Sequence, residues 1–273
     1  MLEASRPLLL VGGGKMGEAL LAGWLRQGAP REAVLVVEPA APRRDELTAA
    51  HGIATFASAG ELPAGLSPSV LLLAVKPQMM DAALPPCALF ATSDTLVLSI
   101  AAGTPIARFA RAFGADRAIV RAMPNTPAAV GRGVTVLCAN EATRPDQRDL
   151  AGRLMGAVGE VHWVSEEELM HAVTAVSGSG PAYVFYLIEA LAAAAERVGL
   201  PADLGMRLAR ATVTGAGELA FQAPESAAQL RVNVTSPGGT TAAALDVLMA
   251  PDGLAPLLER AVAAAARRSR ELA

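Results

Sequence analysis

Two kinds of hydrophobic pattern follow one another along the chain. In the first part, short runs of consecutive apolar residues alternate with segments whose apolar residues recur at a helical spacing. Such runs are typical of strands buried on both faces, and the segments between them are typical of helices. We therefore expect a parallel, doubly wound α/β sheet. The predicted strands cover residues 7–11, 34–37, 70–75, 96–100, 118–122, 133–138 and 161–164.

After residue 164 the strand pattern stops and only helical patterns remain. Predicted helices cover residues 166–176, 181–198, 201–221, 224–232, 240–250 and 254–272. We predict an α/β domain over residues 1–164 and an all-helical domain over residues 165–273. The helices are apolar on most faces, which is more than a small bundle needs for its own core. This excess predicts a homo-oligomeric interface.

A glycine-rich turn joins the first predicted strand to the first predicted helix. Its sequence, Gly12-Gly13-Gly14-Lys15-Met16-Gly17, matches the pattern G-x-G-x-x-G. The first glycine of this pattern permits a tight turn, the second lets a pyrophosphate approach backbone N–H groups, and the third lets the helix pack on the strand. Since the motif follows a strand and opens a helix, it predicts a Rossmann-type domain that binds a nicotinamide dinucleotide. We call residues 12–17 the phosphate turn.

The choice of dinucleotide depends on residues after the second predicted strand. Glu38 lies where an acid binds the ribose 2′-hydroxyl of NADH. Arg43 and Arg44 follow shortly afterwards, and an arginine in this region can instead meet the 2′-phosphate of NADPH. The two signals conflict, so the sequence leaves NADH and NADPH as alternatives.

Other strand ends carry further candidates, because ligands of such sheets bind outside the carboxyl ends of the strands. Ala74, Val75, Lys76 and Pro77 end one predicted strand, and residues 99–103 and 121–127 end two others. Small residues at strand ends let a flat nicotinamide ring lie against the backbone. Lys76 is one of two lysines in the chain and is a candidate contact of the cofactor.

Two loops rich in glycine and hydroxyl side chains precede predicted helices of the second domain. They are Ser177-Gly178-Ser179-Gly180-Pro181 and Ser236-Pro237-Gly238-Gly239-Thr240-Thr241. Free N–H groups at a helix start can bind a carboxylate. Ordinary helix capping also favours serine and threonine. The paired glycines of the second loop exceed what a cap requires, and they indicate a ligand that touches bare backbone.

Composition narrows the function. The net charge of −3 argues against a nucleic-acid partner. Cys87 and Cys138 lie in apolar stretches, without metal-ligand spacing, so we expect two reduced thiols in the core and no metal site. The apolar run at residues 8–11 is too short for a signal peptide or a membrane span. We expect a cytoplasmic protein that uses neither a membrane nor a metal.

These motifs, in this order, resemble the pyrroline-5-carboxylate reductases, the family that carries out the last step of proline synthesis. The resemblance extends from the phosphate turn to beyond Thr241, and its most specific segments are residues 121–127, 177–183 and 236–241. It implies a Rossmann domain followed by a helical domain that intertwines with that of a partner in a homodimer. Larger rings such as decamers also occur in the family.

The resemblance also implies residue roles. The cofactor, NADPH or NADH, would be lined by the phosphate turn, by residues 74–77, by Ala101 and Ala102, and by Asn233. The substrate would be held by Ser236, Gly238, Gly239, Thr240 and Thr241, with Ser236 and Thr241 as the catalytic residues. Glu167 matches an acid found near the substrate in some members only. Many members carry Ser, Thr or Arg after the second strand and favour NADPH, and Glu38 departs from that pattern.

The reaction implied is transfer of a hydride from the nicotinamide to C5 of pyrroline-5-carboxylate, which gives L-proline. One alternative is another imine reductase or a hydroxyacid dehydrogenase of the same architecture. The helical domain contains no lysine, which counts against dehydrogenases that use a helix-borne lysine as acid and base. A second alternative is a non-catalytic nucleotide sensor, which would not need the loop at residues 236–241.

Overall fold

The predicted α/β sheet is present in the computed structural model, which describes residues 2–273. The strands are β1 (Leu8–Val11), β2 (Val34–Val37), β3 (Ala54–Phe56), β4 (Val70–Leu73), β5 (Leu96–Ser99), β6 (Ala118–Met123), β7 (Gly133–Ala139) and β8 (Gly159–Trp163). Their order across the sheet is β3-β2-β1-β4-β5-β6-β7-β8. The order reverses at β1, which lies between β2 and β4. This is the switch point at which open α/β sheets bind their ligands.

Helices cover both faces of the sheet, as the apolar runs predict. Leu8 and Leu10 of β1 belong to one buried cluster, which includes Leu20 and Trp24 of the first helix. Leu9 and Val11 face the other way and belong to a second cluster. Alternate side chains of a strand point to opposite faces, so a strand that is apolar at every position needs cover on both sides. The fold-class prediction is therefore confirmed.

The sheet is not parallel throughout, which corrects the prediction of a parallel sheet. Strand β7 runs antiparallel to β6, with Arg121 opposite Cys138. The connection between them is short and contains a 3-10 turn at Thr126–Val130. A parallel crossover needs about a dozen residues or more, so this connection can only reverse the chain.

One strand has no counterpart among the predicted strands. Strand β3 is an edge strand of three residues and pairs with β2 alone, from Leu35 opposite Ala54 to Val37 opposite Phe56. Ala54 is exposed. A strand this short and this poorly buried leaves no apolar run in the sequence, and only pairing with β2 makes it a strand.

The six helices after residue 164 match the six segments predicted there, whereas no helix bounds were predicted for Met80–Cys87, Ile106–Phe113 or Pro145–Gly156. The helices are α1 (Lys15–Arg26), α2 (Ala41–His51), α3 (Met80–Cys87), α4 (Ile106–Phe113), α5 (Pro145–Gly156), α6 (Leu169–Val173), α7 (Gly180–Arg197), α8 (Ala202–Gln222), α9 (Ala227–Asn233), α10 (Thr240–Leu248) and α11 (Leu254–Glu271). Helix α6 starts later than predicted and runs into a π-helical turn at Thr174–Gly178. No helix among residues 2–273 is long and apolar enough to cross a membrane.

The structure forms two compact units. A sheet unit extends to Gly178 and also includes Ala266–Ala273, and a helical unit covers Ser179–Ala265. Residues 165–178 thus pack with the sheet, 14 residues beyond the predicted boundary at 164. The boundary at 164 was predicted from the point at which the strand pattern ends, and it stays a prediction.

The helical unit leaves most of its apolar side chains exposed. Helices α7 and α8 pack closely at small residues, and a Cβ atom on Gly205 would lie 3.2 Å from the Cβ of Ala195. Larger side chains on α7 stay outside this contact, including Phe185 at 58% and Tyr186 at 70% exposure. This exposed face fits the prediction that the helical region forms an interface between copies of the chain.

The core around α1 offers a stability test. Trp24 is 3% exposed, and its Nε1–H donates to the carbonyl of Leu154 in α5 at 2.8 Å. We expect Trp24→Phe to lower the free energy of unfolding by about 1–3 kcal/mol, because the change leaves a buried carbonyl without its partner. Urea unfolding at a fixed protein concentration measures this change.

Trp163→Phe is the control for this test. Trp163 is half-buried and lies under the guanidinium of Arg148, 4.6 Å from its ring centroid. Phenylalanine keeps an aromatic ring there, so a weaker contact with Arg148 should cost less than about 1 kcal/mol. An equal loss of stability in both variants would contradict the role given to the Trp24 hydrogen bond.

Candidate functional site

The phosphate turn has the close contacts that its glycines predict. Gly12 has φ +102°, and a Cβ atom there would lie 2.7 Å from the carbonyl oxygen of Ala74. A Cβ atom on Gly17 would lie 2.5 Å from the carbonyl oxygen of Gly12. Both distances are shorter than real Cβ contacts, so these two glycines are required by the protein itself. They bring α1 directly onto the end of β1.

Gly14 differs from its neighbours, because a Cβ atom there would have no described residue within 4 Å apart from those adjacent in the chain. It precedes α1, and no side chain among residues 2–273 caps that helix. The N–H groups of the first turn thus lack a side-chain partner, and a helix start carries a partial positive charge. An open glycine beside an uncapped helix start fits a dinucleotide pyrophosphate.

A cleft of about 380 Å³ lies along the strand ends beside this turn. Its lining includes six of the predicted cofactor residues: Gly12, Gly14, Glu38, Ala74, Val75 and Lys76. Among the other residues of the phosphate turn, Gly13 and Gly17 are buried and Lys15 is exposed at the start of α1. Met16 packs against the core. The cleft occupies the switch point of the sheet.

The cleft also contains residues that the sequence analysis did not single out. Residues 57–60, after β3, line it, and so do Met79, Ala82, Ala83 and Pro86. The first group was missed because β3 itself was missed. In the second group, Ala82, Ala83 and Pro86 lie on a helix of only eight residues, and Met79 directly precedes that helix. Together they make the cleft largely apolar, which suits the flat adenine ring of a dinucleotide.

A second cavity of about 430 Å³ lies at the ends of β4 and β5. Pro77 and Ala102 line it, together with Thr174 and Ser269. Lys76 lines the first cavity and Pro77 the second, so consecutive residues after β4 contribute to both cavities. Ala101 is buried, and its N–H donates to the hydroxyl of Ser99.

Glu167 is part of a buried polar contact. Its Oε1 accepts from the guanidinium of Arg121 at 2.9 Å and from the backbone N–H of Ile106 at 2.8 Å. Ile106 begins α4, so the carboxylate also offsets the positive end of that helix. The Arg121 side chain is 3% exposed. These contacts give Glu167 a structural role, and its role beside the substrate stays a prediction.

Residues 236–241, here called the substrate loop, form a helix start in the helical unit. Gly238 has φ +68°, and the N–H of Gly239 donates to the carbonyl of Ser236 at 3.0 Å. Helix α10 begins at Thr240, and no side chain within the described chain caps it. Ser236, Gly238 and Thr240 are exposed, and Thr241 is half-buried. The loop thus combines bare backbone with hydroxyl groups.

The other predicted loop residues have partners inside the chain. The Asn233 side-chain oxygen accepts from Gln229 Nε2 at 2.8 Å. The Ser177 hydroxyl donates back to the carbonyl of Val173 at 2.9 Å, within the π-helical turn. The roles predicted for Asn233 towards the cofactor, and for residues 177–181 as a carboxylate site, are not tested by these contacts and stay predictions.

The two cysteines are free and buried, as predicted. Burial raises the pKa of the Cys87 thiol to about 11. At pH 8 a thiol with this pKa is only about 0.1% thiolate, and the thiolate is the reactive form. We therefore expect iodoacetamide to leave Cys87 unmodified in the folded protein and to modify it fully in guanidinium, as measured by mass spectrometry. Cys87 also lines the cleft beside the phosphate turn, so rapid modification of the folded protein would show that the thiol is accessible from the cleft.

The fold and the cleft define a dinucleotide-binding protein of the Rossmann type. A family model described as "Pyrroline-5-carboxylate reductase dimerisation" matches residues 167–272, and one described as "NADP oxidoreductase coenzyme F420-dependent" matches residues 8–103. A pyrroline-5-carboxylate reductase of Synechocystis is 46% identical over 265 residues, which cover 96% of this chain and 97% of that protein.

Solved structures show the same likeness. The pyrroline-5-carboxylate reductase of Coxiella burnetii has a TM-score of 0.91 and 36% identity, over 98% of this chain and 99% of the other. The Plasmodium falciparum pyrroline carboxylate reductase, solved with NADP bound, has a TM-score of 0.81 and 28% identity over 98% of both chains. The chain belongs to the pyrroline-5-carboxylate reductase family.

Proposed function

We propose that the protein reduces pyrroline-5-carboxylate to L-proline with NADH or NADPH, as the last step of proline biosynthesis. The observation that carries the substrate assignment is the substrate loop. It presents an uncapped helix start with an exposed glycine, beside the hydroxyl groups of Ser236 and Thr241. A small carboxylated imine needs both an anion site and a hydrogen-bonding group for its ring nitrogen.

The backbone of the substrate loop would hold the carboxylate. The N–H groups at the start of α10 and the partial positive charge of the helix end both favour an anion. A side chain at Gly238 would be strained because of its positive φ. The loop therefore anchors the substrate through backbone and keeps its own side chains small.

The phosphate turn, the strand-end residues 74–77 and the Ala101-Ala102 pair would hold the dinucleotide. When bound, the reduced nicotinamide supplies the hydride that adds to C5 of the imine. The protein's contribution is mainly placement, since proximity and orientation of two bound rings account for a large part of such a rate increase.

Thr241 would orient the proton on the ring nitrogen. The protonated imine is already an electrophile, so no strong general acid is needed. The Thr241 hydroxyl can accept a hydrogen bond from the imine N–H, and Ser236 can hold the carboxylate beside it. A hydroxyl is too weak an acid to transfer a proton outright, so water would complete the proton balance.

The exposed apolar face of the helical unit supports a homodimer built through this region. The matching family model describes dimerisation and covers residues 167–272. Larger rings such as a decamer, and a cytoplasmic location, are further predictions of the family assignment. Light scattering on the purified protein measures the number of copies.

The proposed function is tested by an assay of nucleotide oxidation at 340 nm (the absorbance of the reduced nicotinamide) with pyrroline-5-carboxylate as substrate. We expect turnover with at least one nucleotide and formation of proline. Turnover only with a 2-oxo acid would favour the hydroxyacid dehydrogenase. Nucleotide binding without turnover on either substrate class would favour the sensor.

A further inference from the structure

The carboxylate of Glu38 is held in one position at the wall of the cleft. Its Oε2 accepts from the backbone N–H of Gly13 at 2.9 Å, and its Oε1 accepts from the backbone N–H of Ala40 at 3.0 Å. Glu38 follows β2, and its own N–H donates to the carbonyl of Phe56 in β3. The negative charge is therefore fixed beside the phosphate turn, where the ribose next to the pyrophosphate would lie.

Arg43, the first cation that could meet a 2′-phosphate, is fully engaged. Its Nε–H donates to the carbonyl of Gly13 at 2.7 Å. Its two terminal nitrogens donate to Glu18 at 2.6 Å and to Glu46 at 2.7 Å. The side chain is 18% exposed. Two carboxylates thus offset its charge, and its remaining contact supports the backbone of the phosphate turn.

A second side chain of α2, that of His51, contacts the Glu18 carboxylate. His51 Nε2 lies 3.4 Å from Glu18 Oε1, on the oxygen that Arg43 leaves free. The hydrogen bond from Arg43 lowers the pKa of Glu18, which keeps that carboxylate ionised at neutral pH. Glu18 is therefore available as the charged partner of Arg43.

Arg44, the second cation, is turned onto the backbone. Its NH1 donates to the carbonyl of Glu38 at 2.9 Å and to that of Pro39 at 2.7 Å. These bonds hold the guanidinium against the segment that carries Glu38 and stiffen that segment. A move towards a bound phosphate would break both of them.

We propose that this chain selects NADH over NADPH, with Glu38 as the specificity-determining residue and Arg43 as a positioning residue of the phosphate turn. The inference rests on the proposed function for its dinucleotide. A 2′-phosphate adds close to two negative charges at pH 7 and would lie against a fixed carboxylate. A 2′-hydroxyl is neutral and can instead donate a hydrogen bond to that carboxylate without charge repulsion.

The test is calorimetric titration of the purified full chain with NADH and with NADPH, without substrate. We expect NADH to bind about tenfold or more tightly than NADPH at low ionic strength, and the ratio to narrow as salt screens the repulsion. Glu38→Gln keeps the size of the side chain and removes its charge. This variant should reduce the ratio of NADH affinity to NADPH affinity about tenfold, mainly by strengthening NADPH binding.

Glu32→Gln is the matched control. Glu32 is an exposed acid in the 3-10 turn that precedes β2, so the variant removes the same charge at the opposite end of the strand. We expect its NADH-to-NADPH ratio to equal that of the unmodified protein. A shift as large as that of Glu38→Gln would overturn the local role of Glu38.

Arg43→Gln separates positioning from phosphate binding. We expect both nucleotides to weaken by the same factor, since the variant loses the contact with Gly13 that supports the turn. Selective loss of NADPH would show that Arg43 binds the 2′-phosphate and would overturn the proposal. If the unmodified protein binds NADPH as tightly as NADH or more tightly, the proposed selectivity is overturned and the proposed function is not. If it binds neither nucleotide, both the selectivity and the proposed function are overturned.

Discussion

Replacing Gly14 with alanine is expected to weaken dinucleotide binding by about 10- to 100-fold while leaving the thermal midpoint unchanged. Among residues 2–273, a Cβ atom at this position approaches only its chain neighbours within 4 Å, and the backbone angles, φ −64° and ψ −178°, are accessible to alanine. The methyl group would occupy the space through which the pyrophosphate approaches α1. Hydrogen bonds to a charged group contribute about 1.5–3 kcal/mol, which sets the expected loss.

Two other substitutions make this result specific. Gly12→Ala should lower both the thermal midpoint and the affinity, because its Cβ would press on the Ala74 carbonyl at a strained positive φ. Gly152→Ala in α5 should lower neither the thermal midpoint nor the affinity, since its Cβ would lie at an ordinary contact distance of 4.0 Å from Trp163 Nε1. Calorimetric titration and thermal unfolding measure both quantities. An unchanged affinity in Gly14→Ala would mean that the pyrophosphate binds elsewhere.

Replacing Thr241 with alanine is expected to lower kcat by about 10- to 100-fold, which corresponds to loss of one hydrogen bond to a charged imine. The dissociation constant of the dinucleotide should stay the same, because Thr241 belongs to the substrate loop. Thr241→Ser keeps the hydroxyl and should recover most of the rate. The measurement is steady-state turnover with pyrroline-5-carboxylate, together with titration of the nucleotide.

Thr214→Ala provides the control for this variant. Thr214 is an exposed residue of α8 whose hydroxyl donates back to the carbonyl of Arg210 at 2.9 Å. Its replacement should leave turnover unchanged, since the hydroxyl serves only its own helix. A normal rate in Thr241→Ala would remove the hydroxyl from the mechanism, and a loss of nucleotide affinity would move it to the cofactor site.

Local sequence patterns were sufficient to predict those elements whose structure is decided by residues close in sequence. The apolar run before Gly12 became β1 because a strand apolar at every position needs two covered faces. Helix α2 ends at His51, because Gly52 directly after it takes a left-handed conformation with φ +65°. The phosphate turn was recognised for the same reason, since its glycines are needed between one strand and the next helix.

Longer-range contacts decided what the patterns missed. Strand β3 exists because β2 offers an edge to pair with, and residues 57–60 reach the cleft only through it. The direction of β7 is an exception, since the short connection between the predicted strands 118–122 and 133–138 already favours an antiparallel pair. Arg121 lies in an apolar strand, where a buried cation must find an acid. That acid, Glu167, lies 46 residues away in sequence.

The sequence by itself determined the doubly wound sheet, the helical region after it, the dinucleotide turn and the family. Each of these depends on periodicity or on motifs within a few residues, which the chain encodes locally. The tertiary structure alone decided how the charges after β2 are paired. Glu38, Arg43 and Arg44 are ambiguous as a sequence, because a charged side chain takes its role from partners, and Gly13 and Glu18 become those partners only when α1 and α2 meet at the end of the sheet.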